Sequence, residues 1–550
     1  MSPTTAKAQI FQTNSPSRWK RIKWTGRIVF FILLFVIAVV AIAYIVNKDP
    51  NSNVEAGKYS SSKDVSILLP DHYKKIKGFK KFLEDKQKED SIRKQSQNIN
   101  KATGQFIRGA FYTPWSGSKS TPSLEKYGDK LNVIFPEWFF IDTVNNGRIQ
   151  SRIDSYGLVQ MRQKNLRIMP MLTNYNSSKG DFDGTLIHSI LNDTLKQQKF
   201  IQQLVDSLSF YHFQGINVDF EELIEATNKP LTDFQRRLYS ALHEKGLTVT
   251  QDVEAMNDSY DFEHLAEYND YIILMAYDQF SNKASGPGPI SEQKWIENAL
   301  DQAAKKMESN KIILGLAGYG YDWQTWEEEG EKQQAVSDIT YVQAMDNAKV
   351  SNSVIDFNND NYNLHYSFTQ KLYSSNSPAI KHDVWFTDAA TTFNIMRFAD
   401  EYGLAGTALW RLGSEDPRIW SFYNLDLDNA SLSKKPFDFN LLSTIPINPN
   451  RKPSWVGQEG GEILNILSTP QEGKIQLEVD SSEQLISEQV YTQMPSGYVY
   501  EKTGEDTTPI GPGHKIILTF DDGPSEEYTP KILDILEKEK VPAAFFIVGL

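Results

Sequence analysis

The sequence predicts an α/β protein whose main domain, residues 104–435, is a closed barrel of eight parallel strands, a (β/α)8 TIM barrel. Short apolar runs of strand length recur eight times in this region, which is the number that closes such a barrel. Several segments between the runs have the spacing of amphipathic helices, the second requirement of the fold. The runs are Ile107–Thr113, Leu131–Ile141, Leu166–Thr173, Gly215–Glu221, Leu247–Glu254, Tyr271–Asp278, Lys311–Ala317 and Leu404–Trp410.

Two intervening segments have a clear helical period, and one gap is too long for a single helix. The first apolar stripe comprises Phe200, Ile201, Leu204, Val205 and Leu208, and the second comprises Leu231, Phe234, Leu238 and Leu242, before Gly246 as a C-cap. The stretch between the seventh and eighth runs contains the strand-like segments Leu364–Phe368 and Val384–Phe386. We therefore predict an inserted subdomain between strands 7 and 8.

Composition limits the partners of this chain. Its 550 residues predict several domains. The absence of cysteine excludes disulfide scaffolds and thiolate metal sites, and it suits a compartment outside a bacterial inner membrane. The net charge is −13, although the first 27 residues carry six basic and no acidic side chains. Such an acidic body argues against a nucleic-acid partner and leaves neutral or cationic polymers as suitable substrates.

The N-terminal region predicts a single membrane anchor. Residues 28–46, Ile28 to Val46, contain no charge, Pro or Gly and are long enough to cross a bilayer core of about 30 Å. The basic residues before them place the tail 1–27 in the cytoplasm and the remainder outside, by the positive-inside rule. We expect an inner (cell) membrane protein with extracytoplasmic or periplasmic domains. A cleaved signal peptide is the competing interpretation, and a buried core helix is disfavoured because no polar face interrupts the run.

Two polar regions flank the barrel. Residues 47–103 are charged and broken by Pro50 and Pro70, which is typical of a stalk. After a proline-rich break, residues 436–508 include the alternating segment Lys474–Val479, which predicts a linker with a small β module. The sequence assigns no function to this module.

The fourth run carries the residues that point to chemistry. Alternate residues of a strand face the same side, so Asn217, Asp219 and Glu221 project together into the barrel, with Glu221 at the C-terminal mouth. Burying three polar side chains on one core face is costly without a purpose. The charge of Asp219 should raise the pKa of Glu221 and keep it protonated as a proton donor. The alternative is a buried polar network without chemistry.

This run resembles the signature of glycoside hydrolase family 18, DGxDxDxE at the end of strand four. Members of that family include chitinases and the glucosaminidases of spore cortex and peptidoglycan. The resemblance extends over roughly residues 105–430. Three further stretches support it in order: Met275–Asp278 (MAYD), Gly315–Trp323 (GLAGYGYDW) and the aromatic position Trp410.

The resemblance implies a substrate-assisted mechanism that needs no cofactor, in which the acetamido oxygen of the sugar attacks its own anomeric carbon. Glu221 would be the general acid and base, and Asp219 would orient the acetamide. The resemblance also places Asn217 among the catalytic residues. Tyr277 and Asp278 would bind at the acetamide subsite, and the sugar would contact Trp410, Met275 and Tyr319.

The match departs from the signature at two positions. The first signature Asp is Gln214 and the second is Asn217. Asn217 can still hydrogen-bond Asp219, but it can neither share a proton nor add charge. We expect these changes to alter the rate and the pH optimum rather than the reaction class.

A second motif opens residues 509–550. Thr519–Pro524 (TFDDGP) resembles the first motif of NodB-type polysaccharide deacetylases, carbohydrate esterase family 4. That resemblance implies that Asp521 is the catalytic base and that Asp522 binds a divalent metal, commonly zinc, with two later histidines. No histidine follows His514, so we expect an incomplete metal site and a chain that is the N-terminal part of a longer protein.

Together these features predict a membrane-anchored hydrolase of N-acetylglucosamine polysaccharides joined to an incomplete deacetylase. Two alternatives stay open. The barrel could bind glycan without cleaving it, or the chain could belong to a polysaccharide-synthesis assembly that continues into a glycosyltransferase.

Overall fold

The computed structural model describes four parts of the chain: residues 66–67, 106–457, 462–503 and 518–548. Short gaps interrupt them at 116–117, 143–147, 224–227, 282–284, 329, 359–360, 372–377, 449–450, 452 and 481–483. The predicted cytoplasmic tail, the transmembrane segment 28–46 and nearly all of the stalk lie outside these residues. Within them, no helix has the length and apolar character needed to cross a membrane. The chain divides into two units between Asp64 and Val65, and all the described residues belong to the second unit.

The predicted eight-stranded parallel barrel is confirmed. Its strands, named β1 to β8, are Ile107–Tyr112, Val133–Ile141, Met171–Thr173, Gly215–Asp219, Thr248–Glu254, Tyr271–Met275, Ile312–Ala317 and Gly406–Trp410. Each pairs in parallel with its neighbours, and β8 pairs with β1 to close the barrel. The third run is interrupted: Arg167–Ile168 pairs separately with β2, and Pro170, which has no N–H to donate, precedes β3.

The α-helices of the described residues include those around the barrel, and the last of them belongs to a separate C-terminal strand–helix–strand unit. They are α1 Ser120–Tyr127, α2 Ser155–Gln163, α3 Gly184–Leu191, α4 Thr194–Phe210, α5 Asn228–His243, α6 Phe262–Glu267, α7 Gln293–Lys306, α8 Tyr341–Val350, α9 Ala389–Glu401, α10 Asn429–Lys434 and α11 Thr529–Glu539. Both predicted apolar stripes are buried, one on α4 and one on α5. Gly246 adopts a left-handed φ of 69° in the turn after α5, a conformation that favours glycine.

The stretch between β7 and β8 contains a five-stranded antiparallel sheet. Its spatial order is Glu331–Thr340, Tyr319–Glu328, Ile380–Phe386, Leu364–Gln370 and Asp356–Phe357. The strand Tyr319–Glu328 starts directly after β7, so its first residues remain beside the mouth of the barrel. Helix α8 follows the sheet's edge strand, and α9 returns the chain to β8.

Two small sheets follow the barrel. One contains Thr444–Ile445, Gly473–Asp480 and Leu485–Gln493, together with Ser66–Ile67 from the predicted stalk, and the other contains Ser454–Gly457, Glu462–Ser468 and Val499–Thr503. The first sheet packs on α9, where Asn394 exchanges hydrogen bonds of 2.7 and 2.8 Å with the backbone of Ile486. Tyr491 also donates to buried Asp388 at 2.9 Å. The predicted boundary at 435/436 therefore separates residues that share one core.

Replacing Ile486 with Ala should lower the free energy of unfolding by about 2–4 kcal/mol, because the side chain is fully buried in the barrel's main core. Val490→Ala on the same strand is the matched control. That side chain is 51% exposed, so we expect a change within about 0.5 kcal/mol. Urea unfolding followed by tryptophan fluorescence measures both variants. Equal effects would mean that the module does not stabilise the barrel.

Candidate active site

A cavity of about 720 Å³ opens at the C-terminal mouth of the barrel. Seven of the eight strands supply side chains to its wall: Phe111, Glu137, Met171, Asp219, Asp252, Met275 and Trp410. Glu221, Tyr277 and Asp278, which follow the carboxyl ends of β4 and β6, also line it. This is the end of the fold at which barrel enzymes hold their active sites.

Most of the residues predicted for the barrel site meet in this cavity. Six line it: Asp219, Glu221, Met275, Tyr277, Asp278 and Trp410. Asn217 and Tyr319 are buried but are not among the lining residues. Asp521 and Asp522 belong to a separate C-terminal sheet. The catalytic and binding roles of these residues stay predictions.

The backbone of Glu221 is held on both sides by Asn174. The N–H of Glu221 donates to Asn174 Oδ1 at 2.9 Å, and Asn174 Nδ2 donates to the Glu221 carbonyl at 2.9 Å. Tyr260 fixes the preceding residue by donating its hydroxyl to the carbonyl of Phe220 at 2.8 Å. Neither partner was predicted from the sequence. Asn174 directly follows the third apolar run, and a polar residue at the carboxyl end of a barrel strand was the available signal.

Burial keeps a proton on Glu221. Its pKa is raised well above the ordinary value, first by burial and then by the charges of Asp219, Glu254, Asp278 and Asp252. Burial also raises the pKa of Asp219 to about 7, although hydrogen bonds from Thr173 and Glu221 oppose this rise. The direction agrees with the sequence-based expectation, but burial is a larger cause than the neighbouring charge. These shifts favour a proton on Glu221, with Asp219 as the neighbouring acceptor.

Asn217 has a different partner from the one predicted. Its Nδ2 donates to Asp252 Oδ2 at 2.6 Å, and its Oδ1 accepts from Thr250 Oγ1 at 2.7 Å. The register of β4 and β5 explains this arrangement, because Asn217 lies opposite Thr250 and Asp252 follows on the same face. Asn217 thus hydrogen-bonds Asp252 on β5, and not Asp219 on its own strand.

The cavity contains more carboxylic side chains than the sequence predicts. Arg152 contributes a guanidinium to the lining. The seven carboxylic side chains that line the cavity are Glu137, Asp219, Glu221, Glu222, Asp252, Glu254 and Asp278. Asp252 and Glu254 alternate along β5 with the same period as Asp219 and Glu221 on β4, which was a usable signal. Burial raises the pKa of Glu137 to about 7. The cavity is therefore suited to neutral or cationic ligands.

Two tyrosines orient Asp278, which follows β6 with a left-handed φ of 60°. The hydroxyl of Tyr321 donates to Asp278 Oδ1 at 2.8 Å, and the hydroxyl of Tyr319 donates to the same oxygen. Tyr319 was predicted to contact substrate. Tyr319 is 3% exposed, its hydroxyl is bonded to Asp278, and it is not among the lining residues of the cavity, because the strand that carries it leaves the barrel here.

Trp410 lies within an aromatic cluster on one side of the cavity. Its ring packs edge-on against Phe111 at 5.1 Å and against Trp115 at 6.3 Å between centroids. Trp115 donates its indole N–H to Glu137, and the guanidinium of Arg411 lies 4.7 Å from its ring. Because Trp410 also lines the cavity, its ring offers aromatic surface that a sugar could contact.

Gln214, the other departure from the signature, lies at the opposite end of β4. Its Oε1 accepts from the backbone N–H of Ile168 at 2.8 Å, and its Nε2 donates to the carbonyl of His212 at 2.8 Å. It therefore joins the starts of two neighbouring strands, away from the cavity.

Residues 518–548 form a strand–helix–strand unit. Strands Leu518–Gly523 and Ala543–Ile547 pair in parallel, with α11 between them. Asp522 adopts a left-handed φ of 61°. Over the part of the chain that the structure describes, no three His, Asp or Glu side chains group closely enough to hold a metal. The residues present supply Asp522 alone of the predicted ligands, so they do not complete a metal site.

The fold and the site define a glycoside hydrolase of the barrel class. The model of glycosyl hydrolases family 18 matches residues 108–416, more than half of the chain, and the chain belongs to this family. A second match, to polysaccharide deacetylase, covers residues 509–550.

Several known proteins are similar to this chain. It is 26% identical over 307 residues to the uncharacterized glycosylase YvbX of Bacillus subtilis. This alignment covers 54% of this chain and 85% of that protein. It is 26% identical over 282 residues to the cortical fragment-lytic enzyme of Bacillus anthracis, covering 48% of this chain and 61% of that enzyme. The chain therefore spans less than two thirds of the latter relative. Near the C-terminus, 50 residues (9% of this chain and 24% of that enzyme) are 48% identical to a peptidoglycan-N-acetylglucosamine deacetylase of Bacillus cereus.

Solved structures share the fold. The spore cortex-lytic enzyme SleL of Bacillus cereus aligns with a TM-score of 0.51 at 21% identity, covering 60% of this chain and 76% of that one. A chitinase from Chromobacterium violaceum aligns with a TM-score of 0.50 at 23% identity, covering 58% and 97%.

Replacing Asn174 with Ala should lower kcat by about ten- to hundred-fold with little change in KM, because it removes both hydrogen bonds that hold the Glu221 backbone. Exposed Asn298→Ala is the matched control and should leave both constants unchanged. Steady-state kinetics on a cleaved oligosaccharide measures the effect. Parent-like kinetics in Asn174→Ala would show that this contact does not position the acid.

Proposed function

We propose that this chain is a membrane-anchored, extracytoplasmic glycoside hydrolase that cleaves β-linked N-acetylglucosamine polymers with retention of configuration. The observation that carries the proposal is the buried carboxyl group of Glu221 beside Asp219 at the mouth of a barrel cavity, where burial and the charge of Asp219 raise its pKa. A buried carboxylic acid next to a carboxylate is the arrangement that general acid catalysis at a glycosidic oxygen requires.

The reaction proceeds in two steps, with the substrate as its own nucleophile. Glu221 gives its proton to the glycosidic oxygen while the 2-acetamido oxygen attacks the anomeric carbon, so the leaving sugar departs and an oxazolinium ion forms. Asp219 orients the acetamide N–H and stabilises the positive charge, and Tyr277 donates to the acetamide oxygen. The Glu221 carboxylate then accepts a proton from water, which attacks the anomeric carbon from the face that the leaving sugar vacated, opposite the acetamido oxygen. The bond between the acetamido oxygen and the anomeric carbon breaks in this step and restores the acetamide.

The composition of the cavity supports an N-acetylglucosamine polymer as substrate. Its carboxylic side chains disfavour anionic sugars, while Trp410 offers a face for a pyranose ring. The relatives include a cortical fragment-lytic enzyme, a probable chitinase and a peptidoglycan-N-acetylglucosamine deacetylase, and the name of the last contains this sugar. The apolar segment 28–46 and its basic flank favour an anchor in the inner membrane with the barrel outside.

A substrate panel tests this proposal. The full chain is incubated with chito-oligosaccharides, β-1,6-linked N-acetylglucosamine oligomers and peptidoglycan, each beside a matched oligomer carrying 2-amino groups throughout. We expect cleavage of at least one 2-acetamido substrate and none of its 2-amino counterpart, because only the acetamide can attack. Equal cleavage of both would contradict substrate assistance. Binding without cleavage of any oligomer would favour the glycan-binding alternative.

A further inference from the structure

Asp252 is a buried carboxyl group to which the proposed reaction gives no role. It lies on β5, is 1% exposed and contributes to the wall of the cavity. Its Oδ2 accepts the amide N–H of Asn217 at 2.6 Å. Across the residues that the structure describes, its Oδ1 has no hydrogen-bond partner, although that atom is buried. A buried polar atom left unpaired in a cavity requires an explanation.

The groups around Asp252 do not favour a second negative charge. Asp219 and Glu221 face it from β4, Glu254 follows on its own strand, and Tyr277 and Asp278 face it from β6. Burial and the charge of Asp219 raise its pKa well above the ordinary value, although Asn217 opposes this. Neighbouring carboxyl groups in one buried site cannot all ionise, so some must keep their protons.

The hydrogen bond from Asn217 decides which oxygen of Asp252 can carry a proton. Because Asn217 donates to Oδ2, that oxygen is an acceptor, and a proton on the carboxyl group belongs on Oδ1. The Oδ1–H bond is then a donor buried in the same cavity wall as Asp219. Asn217 can perform this task because its own Oδ1 is occupied by the hydroxyl of Thr250 at 2.7 Å, which leaves Nδ2 for Asp252.

We propose that protonated Asp252 is a positioning residue that donates a hydrogen bond from Oδ1 to Asp219 once the proton of Glu221 has left in the first step. Glu221 is the donor to Asp219 before the reaction, and its proton leaves in the first step. Asp252 replaces that donor and keeps Asp219 ionised and oriented, while its own proton stays in place throughout. The inference rests on the proposed function. It also assigns Asn217 a role, which is to hold Asp252 in its donor form.

Infrared difference spectroscopy tests the protonation state without turnover. Full-length Glu221→Gln is compared at pH 7 with the double variant Glu221→Gln/Asp252→Asn. Glu221 then contributes no carboxylic-acid band to either spectrum, and the bands of other protonated carboxyl groups cancel in the difference. We expect one carboxylic-acid C=O band in the single variant that is lost in the double variant. A spectrum without that difference would overturn the proposal.

Two substitutions in the otherwise unchanged chain test the positioning role. Asp252→Asn keeps an N–H donor where the acid has its O–H, so kcat should stay within about threefold of the parent. Asp252→Ala removes the donor, and kcat should fall by about ten- to hundred-fold with KM nearly unchanged. Equal losses in the two variants would overturn the role. If the parent cleaves no substrate, the proposed function fails, while the infrared comparison still decides the state of Asp252.

Discussion

Glu221→Gln should lower kcat on the cleaved oligosaccharide by about 10²- to 10⁴-fold while the protein stays folded. The amide is nearly isosteric with the acid, but it cannot deliver a proton to the glycosidic oxygen or later accept one from water. KM should change little, because the introduced amide would still fill the space beside Asp219. Initial rates from chromatographic product analysis measure the effect.

The matched control is Glu297→Gln on α7. Burial raises the pKa of Glu297 to about 7, as in other buried carboxyl groups of this chain, but this residue does not line the cavity. It should keep parent activity, which separates the loss of an acid in the cavity from the loss of any buried acid. Activity of Glu221→Gln at the level of this control would remove Glu221 from the mechanism.

Asp219→Asn should lower kcat by about 10²- to 10³-fold, because the developing positive charge loses the carboxylate that stabilises it. It should also change the pH dependence. The charge of Asp219 raises the pKa of Glu221, so its removal lowers that pKa, and the acid loses its proton at a lower pH. The decline of kcat on the alkaline side should therefore begin at a lower pH than in the parent. An unchanged alkaline limb would mean that Asp219 does not tune Glu221.

The architecture was predictable from the sequence because barrel strands are buried on both faces and read as continuous apolar runs. Asp219 and Glu221 were predictable because polar residues at a period of two within such a run have few structural explanations. The same reasoning would have found Asp252 and Glu254 on the next strand. Their position beside Asp219 and Glu221 depends on the register between β4 and β5, which the sequence of one strand does not specify.

Other features of the site depend on tertiary placement. Glu137 lies inside an apolar run, and the sequence of that run does not reveal the hydrogen bond that Trp115 donates to it. Asn174 and Tyr260 act on the backbone near Glu221 from other elements. Tyr319 follows a family-like segment, but the strand that carries it leaves the barrel, so its hydroxyl meets Asp278 rather than the cavity. The contact between Ile486 and Asn394 likewise joins regions that the sequence separates by a proline-rich break.

The contacts within the cavity fit one catalytic arrangement. Burial raises the pKa of Glu221, Asn174 holds its backbone, and Asp252, on the strand next to that of Asp219, accepts a hydrogen bond from Asn217. The carboxylate that the family signature holds on β4 is absent here, and a carboxyl group on β5 lies next to the amide that replaces it.

The stereochemistry of the first product tests the central claim most directly. Proton NMR during the first minutes of chito-oligosaccharide cleavage distinguishes the anomers of the new reducing end before they interconvert. Attack by the acetamide on one face of the anomeric carbon, followed by attack of water on the opposite face, predicts the β-anomer in excess at the start. Initial formation of the α-anomer would contradict substrate-assisted catalysis by Glu221 and Asp219.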